Sequence, residues 1–234
     1  MAMLWWGVFP YICLGSIVFG SMYRYAYHPM SWTSKSSELL ERRWLRIGSM
    51  LFHWGLLFVV IGHIMGLLIP IQVYQWLGVS NTMYHTNAEL FGGFFGLVTL
   101  IGMTILLLRR IFNARVRRNS SPSDFLADAL LWIVIALGEA MTTIWDTVNG
   151  PYEYRTTVGP WVRSLFTLQP KIELMVHVPL LLQIHIIASF VLFGVAPFTR
   201  LIHMYSAPII YITRAPMQYR SRVRYAHRPP RERS

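Results

Sequence analysis

The chain has 234 residues, of which 54% are hydrophobic and 13% charged, with a mean hydropathy of +0.43. Charged residues make up about a quarter of a typical soluble domain, so a water-soluble globule is excluded and a membrane bundle is expected. A formal net charge of +11 suits a nucleic-acid binder, but the basic residues are apportioned by membrane side rather than clustered on a module, so no nucleic-acid partner is expected.

Crossing about 30 Å of hydrocarbon takes about 20 apolar residues in a helix. Runs of that kind occupy residues 4–23, 47–68, 88–108, 125–145 and 178–205. The expected fold is therefore all-α: an integral membrane bundle of five transmembrane helices, one domain over residues 1–234 with a basic tail at 209–234. The first run has no basic segment before it and no small-residue cleavage site after it, so it reads as a retained helix rather than a signal peptide. Pro70 closes the second run, and Ser123 and Asp124, just after Pro122, offer a cap for the fourth. Residues 147–177, rich in Gly, Pro and aromatics, are expected to lie across the membrane surface as irregular structure or an interfacial helix, with Trp161 and Phe166 at headgroup depth. The single cysteine, Cys13, rules out an internal disulfide, a cysteine-held iron–sulfur cluster or a CxxCH attachment site. The chain also lacks the HExxH pattern of a zinc protease.

Of the 21 basic residues, only Arg155, Arg163 and Lys171 fall on the side reached by spans two and four. The others, including Arg24, Arg42, Arg43, Arg46, Arg109, Arg110, Arg200 and the tail arginines, fall on the opposite side. Lys and Arg are retained in the cytoplasm, which puts the N-terminus outside and the C-terminus inside a multi-pass protein of the cell membrane. The tail at 220–233 serves topological retention alone or docks a partner or anionic lipid.

Four of the eight histidines lie inside two spans: His53 and His63 in the second, His185 and His203 in the fifth. Ionisable groups at membrane depth are costly and face the bundle interior or bind something. The 18 residues from His185 to His203 are five helical turns, one face and about 27 Å of rise on an undistorted helix; the 10 residues from His53 to His63 span about 15 Å and turn by about 80°. A kink at Pro197 and tilted helices would have to absorb that mismatch. Because the two spans run in opposite directions, His53 shares a level with His203 and His63 with His185. A hydrogen-bonded packing role is the alternative for any one of them, but two level pairs of imidazoles suit the axial positions of two haem irons. Gly55, Gly62 and Gly66 leave room near these histidines for a flat macrocycle, or else form a small-residue packing face.

Residues 32–70, WTSKSSELLERRWLRIGSMLFHWGLLFVVIGHIMGLLIP, and 184–214, IHIIASFVLFGVAPFTRLIHMYSAPIIYITR, closely resemble the gamma subunit, a dihaem cytochrome b, of respiratory nitrate reductase. A weaker similarity runs over all five spans and includes LLLRRIFNARVRR at 106–118. The resemblance implies a membrane anchor that oxidises quinol near the outer face. It passes electrons through two bis-histidine haems b to iron–sulfur and molybdenum subunits on the other side, making the complex a quinol:nitrate oxidoreductase. The haem ligands it implies are His53 and His203 for the inner haem and His63 and His185 for the outer one. A lysine linked to the quinol pocket in a family representative is missing here, where residues 81–87 read NTMYHTN. His85 or Tyr84 is a candidate to take over that contact, the alternative for His85 being an ordinary loop histidine at the interface, with His177 a weaker candidate.

Arg200 precedes His203 by one turn and suits a haem propionate, or simply snorkels at the boundary. Glu139 and Asp146 in the fourth span are candidates for a proton path or for hydrogen bonds within the bundle. His28 and His227 read as surface residues. Competing functions are a cytochrome b anchor of a related quinol-linked reductase, for sulfur compounds or another acceptor, and a haem-free transporter or structural membrane protein.

Overall fold

The computed structural model describes residues 1–28, 31 and 37–204, and within them every regular element is helical. In chain order these are α1 (Leu4–Tyr27), α2 (Arg43–Leu68), the short α3 (Ile71–Trp76), α4 (Asn81–Phe112), the short α5 (Ala114–Arg118), α6 (Pro122–Asn149), α7 (Val158–Phe166) and α8 (Leu180–Phe198). Five of them, α1, α2, α4, α6 and α8, are long and apolar enough to cross a membrane. The tail at 209–234, with His227, lies outside the described residues.

Two local expectations change. The cap of α6 is Ser121, two residues earlier than expected, because Pro122 takes the first helical position, where its missing N–H costs nothing. Ser121 Oγ accepts the Asp124 N–H at 3.3 Å and the Asp124 carboxylate accepts the Ser121 N–H at 3.0 Å, a reciprocal capping box. The second change is at the end of the fifth span. The chain tightens over Ala196–Phe198 around Pro197, Thr199 is extended at φ −120° and ψ −175°, and Arg200–Met204 forms a separate 3₁₀ turn. His203 therefore does not share a helix with His185, and the five-turn spacing does not govern where it sits.

The spans pack in the order α2, α4, α6, α8, α1. Glycines set the α2–α4 contact: a Cβ at Gly102 would stand 2.4 Å from the Phe52 nitrogen, and one at Gly55 would stand 2.4 Å from Thr99 Oγ1. Only glycine permits that approach, the usual means by which helices associate where lipid removes the hydrophobic drive. Gly55 thus serves helix packing. Between α1 and α8, Ser16 Oγ donates to the Gly194 carbonyl at 2.7 Å, and Gly20 lies against Pro197. Large apolar side chains such as Phe19 and Phe94 point outward, 72% and 60% exposed, as lipid-facing residues of a membrane bundle do.

Residues 69–80 and 150–179 gather at one end of the bundle, here the loop end. Its core is Trp6, Val158, Trp161, Leu165, Met175, Val178 and Ile186. Trp161 is wholly buried and donates its indole N–H to the Trp6 carbonyl at 3.0 Å. It is an internal brace between α7 and α1 that faces protein rather than lipid, because α7 folds its apolar face onto the bundle. Phe166 on the other face is exposed.

The opposite, basic end is held by arginines, of which Arg109 and Arg110 are buried. Arg109 donates to the Glu41 carboxylate at 2.5 Å and to the Glu41 and Ser37 carbonyls. Arg110 donates to Asp128 at 2.5 Å and to Ser120 at 2.8 Å. Arg24 donates to the carbonyls of Pro197 and Thr199, both at 2.7 Å, satisfying acceptors left unpaired where α8 ends. That contact fixes the turn that carries His203.

Candidate functional site

Two histidines at the loop end face one another across α2 and α8. The ring centres of His63 and His185 are 6.3 Å apart, with the planes inclined by 35°. Two nitrogen–metal bonds of about 2 Å, each with a ring centre roughly 1 Å behind its nitrogen, would separate the two centres by about 6 Å. The separation of the pair is therefore that of two imidazoles on one metal ion.

The hydrogen bonds of His53, His63, His185 and His203 follow one rule. In α2, His53 Nδ1 lies 2.8 Å from the Ser49 carbonyl and His63 Nδ1 lies 2.8 Å from the Val59 carbonyl, each four residues back along the helix. His185 Nδ1 reaches across to the Val134 carbonyl of α6 at 3.0 Å, and His203 Nδ1 lies 2.6 Å from the Arg200 carbonyl. A carbonyl oxygen only accepts, so each Nδ1 carries the proton and each Nε2 carries the lone pair. This is the usual preparation of a metal-ligating histidine, whose far N–H is anchored so that the ring is aimed and made more basic. Among the described residues no three His, Cys, Asp or Glu side chains are grouped to hold a bare metal ion. His63 and His185 form one facing pair, and two is the number of axial positions on a haem.

Gly138 is a site residue that sequence reasoning missed. A Cβ there would stand 2.9 Å from His185 Cε1. The missing side chain admits the imidazole to the α6 surface and bares the Val134 carbonyl one turn back. No signal in the sequence distinguishes Gly138 from any other glycine in an apolar run. Gly62 has no protein atom within 4 Å of a Cβ built on it, so the α2 face beside His63 accommodates a flat group. Gly66 instead lies under two phenols: its Cβ would come within 2.7 Å of Tyr154 and 3.1 Å of Tyr84 Oη.

Gly66 leads to a second polar group at the loop end. Tyr84 and Tyr154 share a hydrogen bond of 3.1 Å between their hydroxyls. His85 Nε2 lies 2.8 Å from Glu153 Oε2. Arg155, 2% exposed, donates from Nε and Nη2 to the two oxygens of Glu153, both at 2.8 Å, and its guanidinium lies 3.8 Å from the Tyr84 ring centre. Burial pushes the Glu153 carboxyl up, but the hydrogen bonds from Arg155 and His85 outweigh it and hold the group below its ordinary range. The structure thus joins Tyr84 and His85 to Glu153, Tyr154 and Arg155, residues of the 147–177 segment that composition alone gave no reason to single out.

The remaining candidates are more scattered. His177 is exposed on the turn before α8 and has no place in this cluster. Arg200 lies 3.9 Å from Asp124, so a propionate at that level would share the guanidinium with a carboxylate. Glu139 is buried in α6 with a carboxylate oxygen over Gly96 of α4, where any side chain would collide with it.

The family described as nitrate reductase gamma subunit matches residues 2–222. The nitrate reductase gamma chain of Bacillus subtilis is 47% identical over 217 residues, covering 93% of this chain and 97% of that one. The respiratory nitrate reductase 2 gamma chain of Escherichia coli is 36% identical, covering 92% and 95%. The nitrate reductase-like protein NarX of Mycobacterium tuberculosis is 41% identical over the whole of this chain, which spans 36% of its length.

Proposed function

Because the chain belongs to the nitrate reductase gamma subunit family, and is a multi-pass membrane subunit of a respiratory nitrate reductase, we propose that it carries electrons from quinol across the membrane through two haems b. His63 and His185 would hold one haem near the loop end, and His53 and His203 the other near the basic end. The loop end faces outside and the basic end faces the cytoplasm, as the distribution of arginines requires. Quinol is oxidised beside Tyr84 and His85. Its electrons leave from the basic end to iron–sulfur and molybdenum subunits, which reduce nitrate.

The observation that carries this reading is the facing pair His63 and His185, ring centres 6.3 Å apart, each with Nδ1 donating to a carbonyl so that the lone pair lies on Nε2, a tautomer that His53 and His203 share. Three of these bonds are local, to carbonyls three or four residues back; His185 reaches another helix, where the missing side chain of Gly138 admits its ring. When bound, haem supplies one-electron chemistry. The protein's part is to aim the ligands, keep both faces dry, and place proton acceptors beside the quinol. Gly138 and Gly62 fit the reading, since both remove bulk where a macrocycle edge or its ligand must pass.

Optical and redox spectra of the purified complex test it. Replacing His53 or His203 by glutamine should remove the haem at the basic end and leave the other; replacing His63 or His185 should do the reverse. Loss of one and the same haem on replacing His53 and His63 singly would overturn the pairing. In proteoliposomes, quinol turnover should generate a membrane potential, and turnover without charge separation would move the quinol site to the opposite face.

A further inference from the structure

His85 has the opposite hydrogen-bonding pattern from the four ligand histidines. Its Nε2, not its Nδ1, is committed, and the partner is an ionised carboxylate rather than a carbonyl. A carboxylate accepts only, so Nε2 carries the proton and Nδ1 carries the lone pair. Glu153 is itself immobilised: both its oxygens accept from Arg155, and Arg155 is pinned by Asn81 Oδ1 at 3.2 Å and by the Tyr84 ring. A fully buried arginine in a surface loop is costly unless paired, and here the pairing aims one carboxylate oxygen at one histidine. The cluster abuts the turn that presents His63, because Tyr84 and Tyr154 close over Gly66, three residues further along α2. The other charged groups near His85 are Asp146 of α6 and Glu89, one turn along α4.

We propose that His85 is the base that takes the hydroxyl protons of quinol at Nδ1, and that Glu153 and Arg155 are positioning residues that set its tautomer and stabilise the charge it acquires. This rests on the assignment of the quinol site to the loop end. The step balances as one quinol giving one quinone, two protons and two electrons. Each O–H bond breaks with its proton passing to His85 Nδ1 and then to water at the loop end, while the electron would leave to the haem that His63 and His185 would hold. The arrangement is that of a general base held by a carboxylate, in which the carboxylate orients the ring and stabilises the imidazolium without itself taking the proton.

The test uses the assembled complex and a short-chain benzoquinol as donor, with reduced viologen as a donor acting on the partner subunits directly. In His85→Gln the quinol kcat should fall by about a hundredfold, the usual worth of a general base, while both haem spectra and viologen-driven nitrate reduction persist. In Glu153→Gln the amide oxygen still accepts from Nε2 but the charge is gone. There kcat should fall by at least about tenfold with the quinol KM held within about twofold, and Glu153→Asp should recover part of the loss. An undiminished kcat in His85→Gln overturns the proposal. So does a raised KM at unchanged kcat in Glu153→Gln, which would make the pair a binding brace. If Glu153→Gln fails to assemble, His85→Gln alone decides, since it leaves the Glu153–Arg155 pair intact. Failure of the site assignment looks different: the wild-type complex would then turn over quinol without releasing protons at the loop end, whatever the variants do.

Discussion

Substituting Gly138 probes the loop-end ligand pair through one atom. In the native structure a Cβ at this position would stand 2.9 Å from His185 Cε1, and ordinary contact begins near 3.4 Å, so alanine requires the ring to retreat by about half an ångström. Metal–ligand distances tolerate only about 0.2 Å, and the same retreat stretches the Nδ1 bond to Val134, now 3.0 Å. Disturbing such a supporting contact typically lowers metal affinity 10–100-fold; about tenfold is expected for Gly138→Ala. Valine adds two methyl groups in a packed interface, an overpacking cost of about 1–3 kcal/mol on top, so Gly138→Val should leave one haem per chain, the one held by His53 and His203. Pigment analysis and redox titration of the purified complex measure this directly. Gly138→Val with two haems at unshifted potentials would refute the claim that His185 is a ligand placed by the missing side chain.

Three further outcomes are expected. Trp161→Ala should destabilise the detergent-solubilised chain by about 3–5 kcal/mol, the usual cost of emptying a buried tryptophan site; thermal melting reads it, and a loss below about 1 kcal/mol would mean the ring faces lipid. Glu41 accepts the Trp44 and Leu45 N–H groups at the start of α2 as well as Arg109; burial raises its carboxyl, but these hydrogen bonds win and hold it below its ordinary range. A depressed carboxyl stabilises above its unfolded value of about 4.3 and loses that contribution as pH falls through the folded value, so wild type and Glu41→Gln should differ in melting temperature at pH 7 and converge below about pH 4. Reporter fusions in the segment 69–80 should report the outside of the membrane; a cytoplasmic signal there would invert the topology and with it the direction of proton release.

The five spans, and His53, His63 and His185 inside them, were legible in the sequence because both follow from one-dimensional rules. A bilayer demands a fixed length of apolar helix, and an ionisable residue inside such a run stands out against its neighbours. Chain direction then paired His63 with His185, and the 6.3 Å between their rings agrees with that pairing. What depended on distant neighbours was not legible. Helix periodicity carried His203 five turns along from His185, whereas the chain breaks at Thr199 and Arg24, 175 residues away, holds the break. An aromatic-rich loop suggested headgroups, yet Trp161 is buried because α7 turns its apolar face onto Trp6. Gly138 and Arg155 carry no mark of their roles in the sequence. One matters for the side chain it lacks opposite His185, the other because a buried cation must find a carboxylate, and in each case the deciding partner is set by how the chain folds back on itself.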